Sequence, residues 1–288
     1  MDLLHPGRAS HPPLNHSFQE MNLSRRDFIK KSAIAASTMS TAQSWSQVSG
    51  ANQDIRVGVI GFRSKGRTHI ADMLKIPGVR VVALCDVDTA ILEREAEIFR
   101  KRGVPITTYT DVRRLIASNE VDVVTTATPN HWHGLITVWA CQAGKDVYVE
   151  KPVSHNVWEG RQMVRAARKY NRIVQSGTQN RSDTAIIAAA KWVKEGHLGR
   201  VKFARGLCYK PRPNIGKVSG PQKIPAGIDY DLWCGPAPAG PLMREQLHYD
   251  WHWVWDTGNG DLGNQGIHQM DIARWFLGEK GLARMALS

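Results

Sequence analysis

The stretch Ile55-Arg-Val-Gly-Val-Ile-Gly-Phe-Arg-Ser-Lys-Gly66 decides the fold of this chain. Its apolar, β-branched beginning predicts a buried strand over 55–60, and two glycines follow at the spacing of a phosphate-binding turn. Gly61 permits a tight turn that aims the first N–H groups of the next helix at a diphosphate, and Gly66 permits close packing of helix and strand. We therefore expect a dinucleotide contact at Gly61, Phe62, Arg63 and Gly66.

Two residues bear on how specific this turn is. Arg63 stands where the pattern G-x-G-x-x-G has its middle glycine, which leaves an ordinary strand-turn-helix open as the alternative. Asp86 ends the next apolar run, 25 residues (86 − 61) after Gly61, where a carboxylate accepts hydrogen bonds from the adenosine ribose. An acid at this position favours NAD over NADP, and NADP stays open as an alternative.

Short apolar runs and amphipathic stretches alternate further along the chain. Strands are predicted over 55–60, 79–85, 106–109, 121–126, 146–149 and 172–175, and helices over 69–74, 90–102, 111–118, 133–143 and 157–170. In the last helix, the predicted buried face holds Val157, Met163, Val164 and Ala167. Strands that alternate with helices predict an α/β fold with a parallel sheet, here a Rossmann-type domain over 54–175.

Two motifs end predicted strands of this sheet. Ala127-Thr-Pro-Asn-His-Trp-His133 follows the fourth strand, and Val149-Glu-Lys-Pro152 follows the fifth. Both lie at the carboxyl edge, where open α/β sheets bind their ligands. We expect a cis peptide before Pro152, and both cofactor contact and a role in the core stay open for His131 and His133.

Together with the glycine turn, these motifs resemble the Gfo/Idh/MocA oxidoreductases, relatives of glucose-fructose oxidoreductase and inositol dehydrogenase, over about residues 54–280. The resemblance implies an enzyme that transfers hydride between nicotinamide and a hydroxyl of a carbohydrate or polyol. It directs the amine of Lys151 at the reacting hydroxyl, where the charge stabilises a developing alkoxide. It also places four residues along the cofactor: Pro129, Asn130, His133 and Glu150.

The second half predicts a different, α+β architecture. We expect a helix over 184–196, a strand over 200–209 and a proline- and glycine-rich excursion over 210–241. The resemblance makes residues 176–288 a partial, open-faced substrate and oligomerisation domain, and it implies homo-oligomers among full-length relatives. Because such domains carry several more strands, we expect this chain to be truncated at its C-terminus.

The remaining chemistry of the second half lies between 251 and 271. Asn264 and His268 are four residues apart, so in a helix they share one face. The family has an Asp-x-x-x-His pair there, so the resemblance makes His268 the proton acceptor and Asn264 the uncharged replacement of its partner. A buried helix-start histidine is the alternative for His268. Arg181 is predicted to hold substrate oxygens, and the tryptophans of 251–255 suit either a sugar ring or a half-buried strand.

The N-terminus carries an export motif. The stretch Asn22-Leu-Ser-Arg-Arg-Asp-Phe-Ile-Lys-Lys31 precedes a weakly apolar segment and resembles a twin-arginine (Tat) signal. It predicts that residues 1–50 are signal and leader, that the Tat translocation machinery is a partner, and that the protein is periplasmic or otherwise exported. A short cytosolic helix is the alternative. Since an exported enzyme meets no nicotinamide pool, the resemblance implies a tightly bound cofactor.

Composition narrows the classes of function. The 288 residues hold 38 Lys+Arg against 26 Asp+Glu, a formal charge of +12, but the basic residues are dispersed and no nucleic-acid motif accompanies them. No apolar stretch is long enough to span a bilayer. Four distant cysteines indicate neither a zinc site nor a disulfide framework, so we expect no metal. The alternatives to an oxidoreductase are an NAD-dependent glycoside hydrolase, lyase or epimerase with a transient keto-sugar, and a non-catalytic sugar-binding relative.

Overall fold

The computed structural model of this chain describes residues 54–278 and residue 281. The predicted export signal within residues 1–50 lies outside the described residues. No helix of the described part has the length and apolar character needed to cross a membrane.

A six-stranded parallel sheet forms the centre of the first half. Its strands are β1 (Ile55–Ile60), β2 (Val79–Cys85), β3 (Thr107–Tyr109), β4 (Val123–Thr126), β5 (Asp146–Glu150) and β6 (Val174–Gly177). They lie in the order β3-β2-β1-β4-β5-β6, and every neighbouring pair is parallel. This order is that of a doubly wound dinucleotide-binding sheet, so the predicted α/β Rossmann-type fold is confirmed.

Five helices connect the strands: α1 (Lys65–Met73), α2 (Thr89–Lys101), α3 (Val112–Ala117), α4 (Asn130–Gln142) and α5 (Val157–Lys169). Asp88, Asp111 and Asn156 cap α2, α3 and α5 by accepting hydrogen bonds from first-turn N–H groups. The predicted bounds of β1 and β2 agree with the structure. In contrast, α1 begins four residues before its predicted start at 69 and α4 three residues before 133.

Two apolar clusters hold the helices on the sheet. One contains Leu115, Val124 and Ile136, and the other contains Phe62, Leu84 and Phe99, all of them buried. The predicted buried face of α5 is partly wrong. Met163 is buried, but Val157 is 74% exposed and Val164 48% exposed, because α5 turns Met163 and Ala166 into the apolar cluster that contains Ile136 instead.

The second half contains α6 (Thr184–Lys194), α7 (Tyr230–Cys234) and α8 (Ile267–Phe276), with 3₁₀ turns at Gln179–Ser182 and Asp250–Trp253. The predicted strand over 200–209 is wrong for the described structure, which has no strand there. A strand needs a neighbour to complete its backbone hydrogen bonds, and no described segment pairs with 200–209.

The second half packs against the carboxyl edge of the sheet. A third apolar cluster, which includes Trp233, Leu242 and Leu247, lies beside this edge. Gly235 has φ +50°, and a Cβ there would come within 2.1 Å of the Trp132 ring, so only a glycine allows this approach to α4. Strands of the first half and loops of the second half thereby enclose one cleft.

Candidate functional site

The cleft lies beyond the carboxyl ends of β1 and β4, where the strand order reverses, and has a volume of about 330 Å³. Ten of the residues predicted to act on cofactor or substrate line it: Gly61, Phe62, Arg63, Asp86, Pro129, Asn130, His133, Glu150, Lys151 and Asn264. Three others lie outside its wall: Gly66, Arg181 and His268. The structure therefore assembles most of the predicted site from five separate segments of the chain.

The glycine turn has the geometry that a diphosphate needs. Gly61 has φ +72°, and a Cβ there would lie 2.9 Å from the Thr128 backbone nitrogen. Gly66 lies beneath the turn, where a Cβ would approach the Gly61 carbonyl oxygen to 2.1 Å. The Ser64 side chain does not cap α1, and no acidic residue occupies its first turn. The Arg67 N–H donates to the Ser64 carbonyl oxygen at 3.1 Å, and the N–H groups before it at the start of α1 are open to an anion.

Arg63 explains how the turn forms without its middle glycine. It is exposed, and its backbone does not adopt a positive φ, so an L-residue fits without strain. Arg63 and Lys65 both line the cleft and bring positive charge to the place where phosphates would lie. The neighbouring Phe62 is fully buried and anchors the turn in the core.

Asp86 sits at the end of β2, as the ribose-binding position requires. Its carboxylate accepts hydrogen bonds from the backbone N–H groups of Phe62 and Asp88, each at 3.1 Å. Burial raises the pKa of Asp86, although these two N–H groups oppose the shift. The uncapped helix start, the crowded glycines and this carboxylate together fit a nicotinamide adenine dinucleotide.

The Thr-Pro-Asn-His turn joins the two halves of the cleft. Pro129 precedes the first residue of α4, and the Asn130 side chain donates to the Asn259 amide oxygen at 2.8 Å. Nδ1 of His133 lies 2.7 Å from the Pro152 carbonyl oxygen and Nε2 lies 2.9 Å from that of Thr128. His133 is thus tied to main chain on both sides, and burial lowers its pKa.

His131 and Trp132 serve packing. Both nitrogens of the His131 ring face backbone carbonyl oxygens, of Trp233 at 3.1 Å and of Thr257 at 3.4 Å. The Trp132 indole also donates to the Trp233 carbonyl, at 3.1 Å. Burial lowers the pKa of His131 to about 4, so its ring is neutral near pH 7. For His131, the structure favours the core alternative.

Lys151 brings the reactive amine to the cleft. The Lys151-Pro152 peptide is cis, as expected, and the lysine Nζ donates to the backbone oxygen of Asn264 at 2.6 Å, with the Asn264 amide oxygen at 3.5 Å. Burial lowers the pKa of Lys151, while the Glu150 carboxylate opposes this shift. The amine is therefore closer to exchanging a proton near neutral pH than an exposed lysine would be.

Asn264 and His268 do not face one cavity. Residues Leu262–Gly266 form a π turn, in which hydrogen bonds span five residues, so a four-residue spacing no longer aligns two side chains. Asn264 lines the cleft, whereas His268, 7% exposed, lines a second cavity beside Arg205 and Leu207. Burial lowers the pKa of His268, and the charge of Lys151 adds to this effect.

Arg181 is engaged away from the cleft. Its guanidinium donates to both carboxylate oxygens of Asp271, at 2.7 and 2.8 Å, and lies over the Trp275 ring. The predicted substrate contact of Arg181 stays a prediction, since it would require this pair to open.

Sequence reasoning missed a histidine that the structure places in the cleft. His252 lies between the tryptophans of the aromatic segment, which forms a 3₁₀ turn rather than a strand, and its ring stacks on Trp251 at 3.6 Å. Nδ1 faces the Tyr249 carbonyl oxygen, so Nδ1 carries the proton and Nε2 presents a lone pair. Burial lowers the pKa of His252 to about 4. The dense run of aromatic residues around it was the signal in the sequence.

The described residues contain no cluster of three or more His, Cys, Asp or Glu side chains placed to hold a metal ion.

The fold and the cleft are those of a dinucleotide-binding α/β protein, and Lys151 lines the cleft. Two family models match the chain: an oxidoreductase family with an NAD-binding Rossmann fold, over residues 55–178, and its C-terminal alpha/beta domain, over residues 184–287. The chain belongs to the Gfo/Idh/MocA family of oxidoreductases.

Individual relatives agree with this assignment. Levoglucosan dehydrogenase of Pseudarthrobacter phenanthrenivorans is 28% identical over 242 residues, which are 82% of this chain and 54% of that protein. Glycosyl hydrolase family 109 protein 1 of a Shewanella species is 31% identical over 120 residues, 40% of this chain and 26% of that protein. A solved NAD binding oxidoreductase from Klebsiella pneumoniae is 25% identical with a TM-score of 0.55, covering 78% of this chain and 54% of that one. The chain thus spans about half the length of the dehydrogenase it matches.

Proposed function

We propose that this protein is an NAD-dependent oxidoreductase that transfers hydride between the nicotinamide and a hydroxyl-bearing carbon of a carbohydrate or polyol. One observation carries the proposal: the Lys151 amine lines the same cleft as the glycine turn and Asp86, and it is held there by the Asn264 backbone carbonyl at 2.6 Å. The similarity to levoglucosan dehydrogenase supports a sugar-like substrate. When bound, NAD supplies the hydride acceptor or donor.

Residues of the chain accept the proton of the substrate hydroxyl. Burial lowers the pKa of the Lys151 amine, so it gives up its proton more readily than an exposed lysine does. In its uncharged form the amine takes the proton of a substrate hydroxyl and then faces the alkoxide as an ammonium. The Asn264 carbonyl accepts a hydrogen bond from the amine and so orients it. Asp86 would hold the adenosine ribose of the cofactor, and the start of α1 with Lys65 would hold its diphosphate.

A histidine of the cleft orients the hydroxyl. The three histidines that line it within the described residues are His133, His248 and His252. His133 is tied to two carbonyls, and Nε2 of His248 is 2.9 Å from the Asp88 carboxylate. His252 has an available Nε2 lone pair, and the charge of Lys151 helps to lower its pKa, so its ring lies near the amine. We therefore assign His252 to accept a hydrogen bond from the substrate. The proton-acceptor role that the resemblance gives to His268 requires substrate to reach the second cavity.

A glycoside hydrolase with transient redox chemistry is the second candidate. The 31% identity to the Shewanella glycosyl hydrolase family 109 protein, over 120 residues, favours it. Both candidates use the same cofactor cleft, and they differ in the product: the oxidoreductase leaves an oxidised sugar, whereas the hydrolase leaves a cleaved glycoside with no net redox change.

Export and tight cofactor binding complete the proposal. The arginine pair at 25–26 supports recognition by the Tat machinery, which carries folded proteins, and an exported, nicotinamide-dependent enzyme must retain its cofactor. We place the protein in the periplasm or outside the cell, and we propose a homo-oligomer for the full-length form.

The test combines nucleotide and product analysis. The purified protein is denatured, the released nucleotide is identified by mass spectrometry, and the native protein is incubated with a panel of sugars, polyols and glycosides. A released NAD(H) with an oxidised product supports the oxidoreductase, and a cleaved glycoside supports the second candidate. A folded protein that neither retains nor binds NAD(H) would refute both.

A further inference from the structure

A buried row of polar side chains lies behind Lys151. His69 of α1, Thr125 of β4 and Glu150 at the end of β5 are 7%, 0% and 3% exposed. Nδ1 of His69 is 2.8 Å from the Thr125 hydroxyl, and Nε2 is 3.0 Å from Oε1 of Glu150. This row connects the phosphate-binding helix to the strand that carries Lys151.

The partners fix the protons of the row. Nε2 of His69 faces a carboxylate, so Nε2 carries the proton and its N–H donates a hydrogen bond to Glu150. The Thr125 hydroxyl then donates a hydrogen bond to Nδ1. The Tyr148 ring packs edge-on against the imidazole at 5.2 Å. The imidazole of His69 is consequently held at both nitrogens and on one face.

The second oxygen of Glu150 acts on Lys151. Oε2 accepts a hydrogen bond from the Lys151 backbone N–H at 3.0 Å. Gly177 leaves room for the carboxylate, since a Cβ there would lie 3.1 Å from Oε1. Burial alone would raise the pKa of Glu150, but His69, the Lys151 N–H and the charge of Lys65 more than offset it, so this pKa lies below its usual value.

We propose that His69 is a positioning residue: by holding one oxygen of Glu150, it keeps the other on the Lys151 backbone and so directs the lysine side chain into the cleft. Removal of the imidazole leaves the carboxylate free to swing toward the Lys65 ammonium, which is already 3.9 Å from Oε1. The Lys151 backbone would then lose its acceptor. The expected loss of kcat rests on the proposed hydride transfer. The expected change in the position of the Lys151 side chain does not.

The pH dependence follows from the groups that face the pair. His69, Lys65 and the Lys151 N–H lower the pKa of Glu150. The carboxylates of Glu150 and Asp261 raise the pKa of Lys151, and the charges of Lys65 and Arg212 lower it. Without His69, the pKa of Glu150 rises, so the carboxylate is protonated at a higher pH. On the acid side of the pH–rate profile, the rate of His69→Ala therefore falls off at a higher pH than that of the wild type.

The kinetic test uses His69→Ala, His69→Gln and Thr125→Val, with the exposed His197→Gln as the control. We expect His69→Ala to lower kcat by about tenfold or more while the Kd for NAD stays within about twofold. His69→Gln keeps a donor for Glu150 and should restore most of kcat and the original acid limb. Thr125→Val removes only the hydroxyl and should have a smaller effect than His69→Ala.

A second measurement needs no activity. The rate of acetylation of Lys151, relative to the exposed Lys75 in the same sample, is followed by mass spectrometry for the folded variants. We expect a change of about threefold or more in His69→Ala and none in His197→Gln. If acetylation changes but the wild type transfers no hydride, the proposed function fails and the positioning role stands. If the wild type is active and His69→Ala changes neither kcat nor acetylation, the positioning role is overturned.

Discussion

We propose that the Asp86 carboxylate selects between NAD and NADP. It lies beside Asp88 with its oxygens on two backbone N–H groups, a negative environment that suits ribose hydroxyls and opposes a 2′-phosphate. We expect Asp86→Ser to raise the Kd for NAD by about tenfold or more, because a hydrogen bond to a charged group contributes about that much affinity. The same change should reduce the difference in affinity between NAD and NADP. Calorimetric titration with both nucleotides measures this. An unchanged NAD affinity would contradict the assignment.

The raised pKa of Asp86 gives the binding a pH dependence. Burial favours the protonated form, so the carboxylate takes up its proton at a pH above the usual value for aspartate. The ionised form accepts the ribose hydrogen bonds, and NAD affinity should therefore fall, as the pH is lowered, earlier than an exposed aspartate would predict. Titrations over the acidic to neutral range test this. Asp86→Asn, which does not ionise, should lack the transition.

Two histidines compete for the contact with the substrate hydroxyl. His252 lines the cleft and His268 lines the neighbouring cavity. We expect His252→Ala to lower kcat/KM by about tenfold or more and His268→Ala to lower it less, because only His252 presents a free nitrogen to the cleft. Steady-state kinetics of both variants on an identified substrate provide the comparison. The opposite ranking would return the principal role to His268.

At the scale of elements, the turn between β1 and α1 is the most constrained piece of the site. A Cβ at residue 66 would lie 2.1 Å from the Gly61 carbonyl oxygen, so α1 would have to move away from the strand. We expect Gly66→Ala to lower the free energy of unfolding by about 1–3 kcal/mol and to weaken NAD binding. Gly220→Ala is the matched control, because a Cβ there meets nothing within 4 Å. Chemical denaturation and NAD titration of both variants measure the difference, and equal behaviour would refute the packing role.

The sheet could be predicted from the sequence because apolar runs such as 55–60 record burial directly. The start of α1 could not, since Lys65 and Arg67 face the cleft or solvent and give the first turn no apolar signal. In α5, periodicity put Val157 and Val164 on the buried face with Met163, but packing in the apolar cluster around Ile136 buries Met163 and Ala166.

The candidate site divides in the same way. Gly61, Asp86 and Lys151 belong to motifs with fixed spacing, so sequence patterns alone are enough to place them at the cleft. The contact between His69 and Glu150 joins residues that are 81 positions apart, and no local pattern records such a pairing. The π turn at Leu262–Gly266 likewise has no pattern that separates it from a helix, and it is what moved His268 away from Asn264.

At the scale of the whole molecule, the proposed export route predicts a distinct phenotype. Residues 1–50 fused to a folded reporter should carry it out of the cytoplasm, and the double substitution Arg25→Lys and Arg26→Lys should abolish this, because the arginine pair is the feature that the Tat machinery reads. Cell fractionation measures the reporter, and Arg8→Lys is the control outside the motif. Export that survives the double substitution would contradict the proposal.

The proposed hydride transfer beside Lys151 involves the cleft, the glycine turn and the buried row of His69, Thr125 and Glu150. The most direct measurement is a single-turnover experiment on the NAD-loaded protein, in which absorbance of the reduced nicotinamide is followed after addition of the substrate found in the panel. Wild type and the exposed-site variant Lys75→Met should show the same fast rise, and Lys151→Met should be slower by about 10²- to 10⁴-fold with unchanged NAD affinity. A Lys151→Met protein that reduces its cofactor at the wild-type rate would contradict the central role of this lysine.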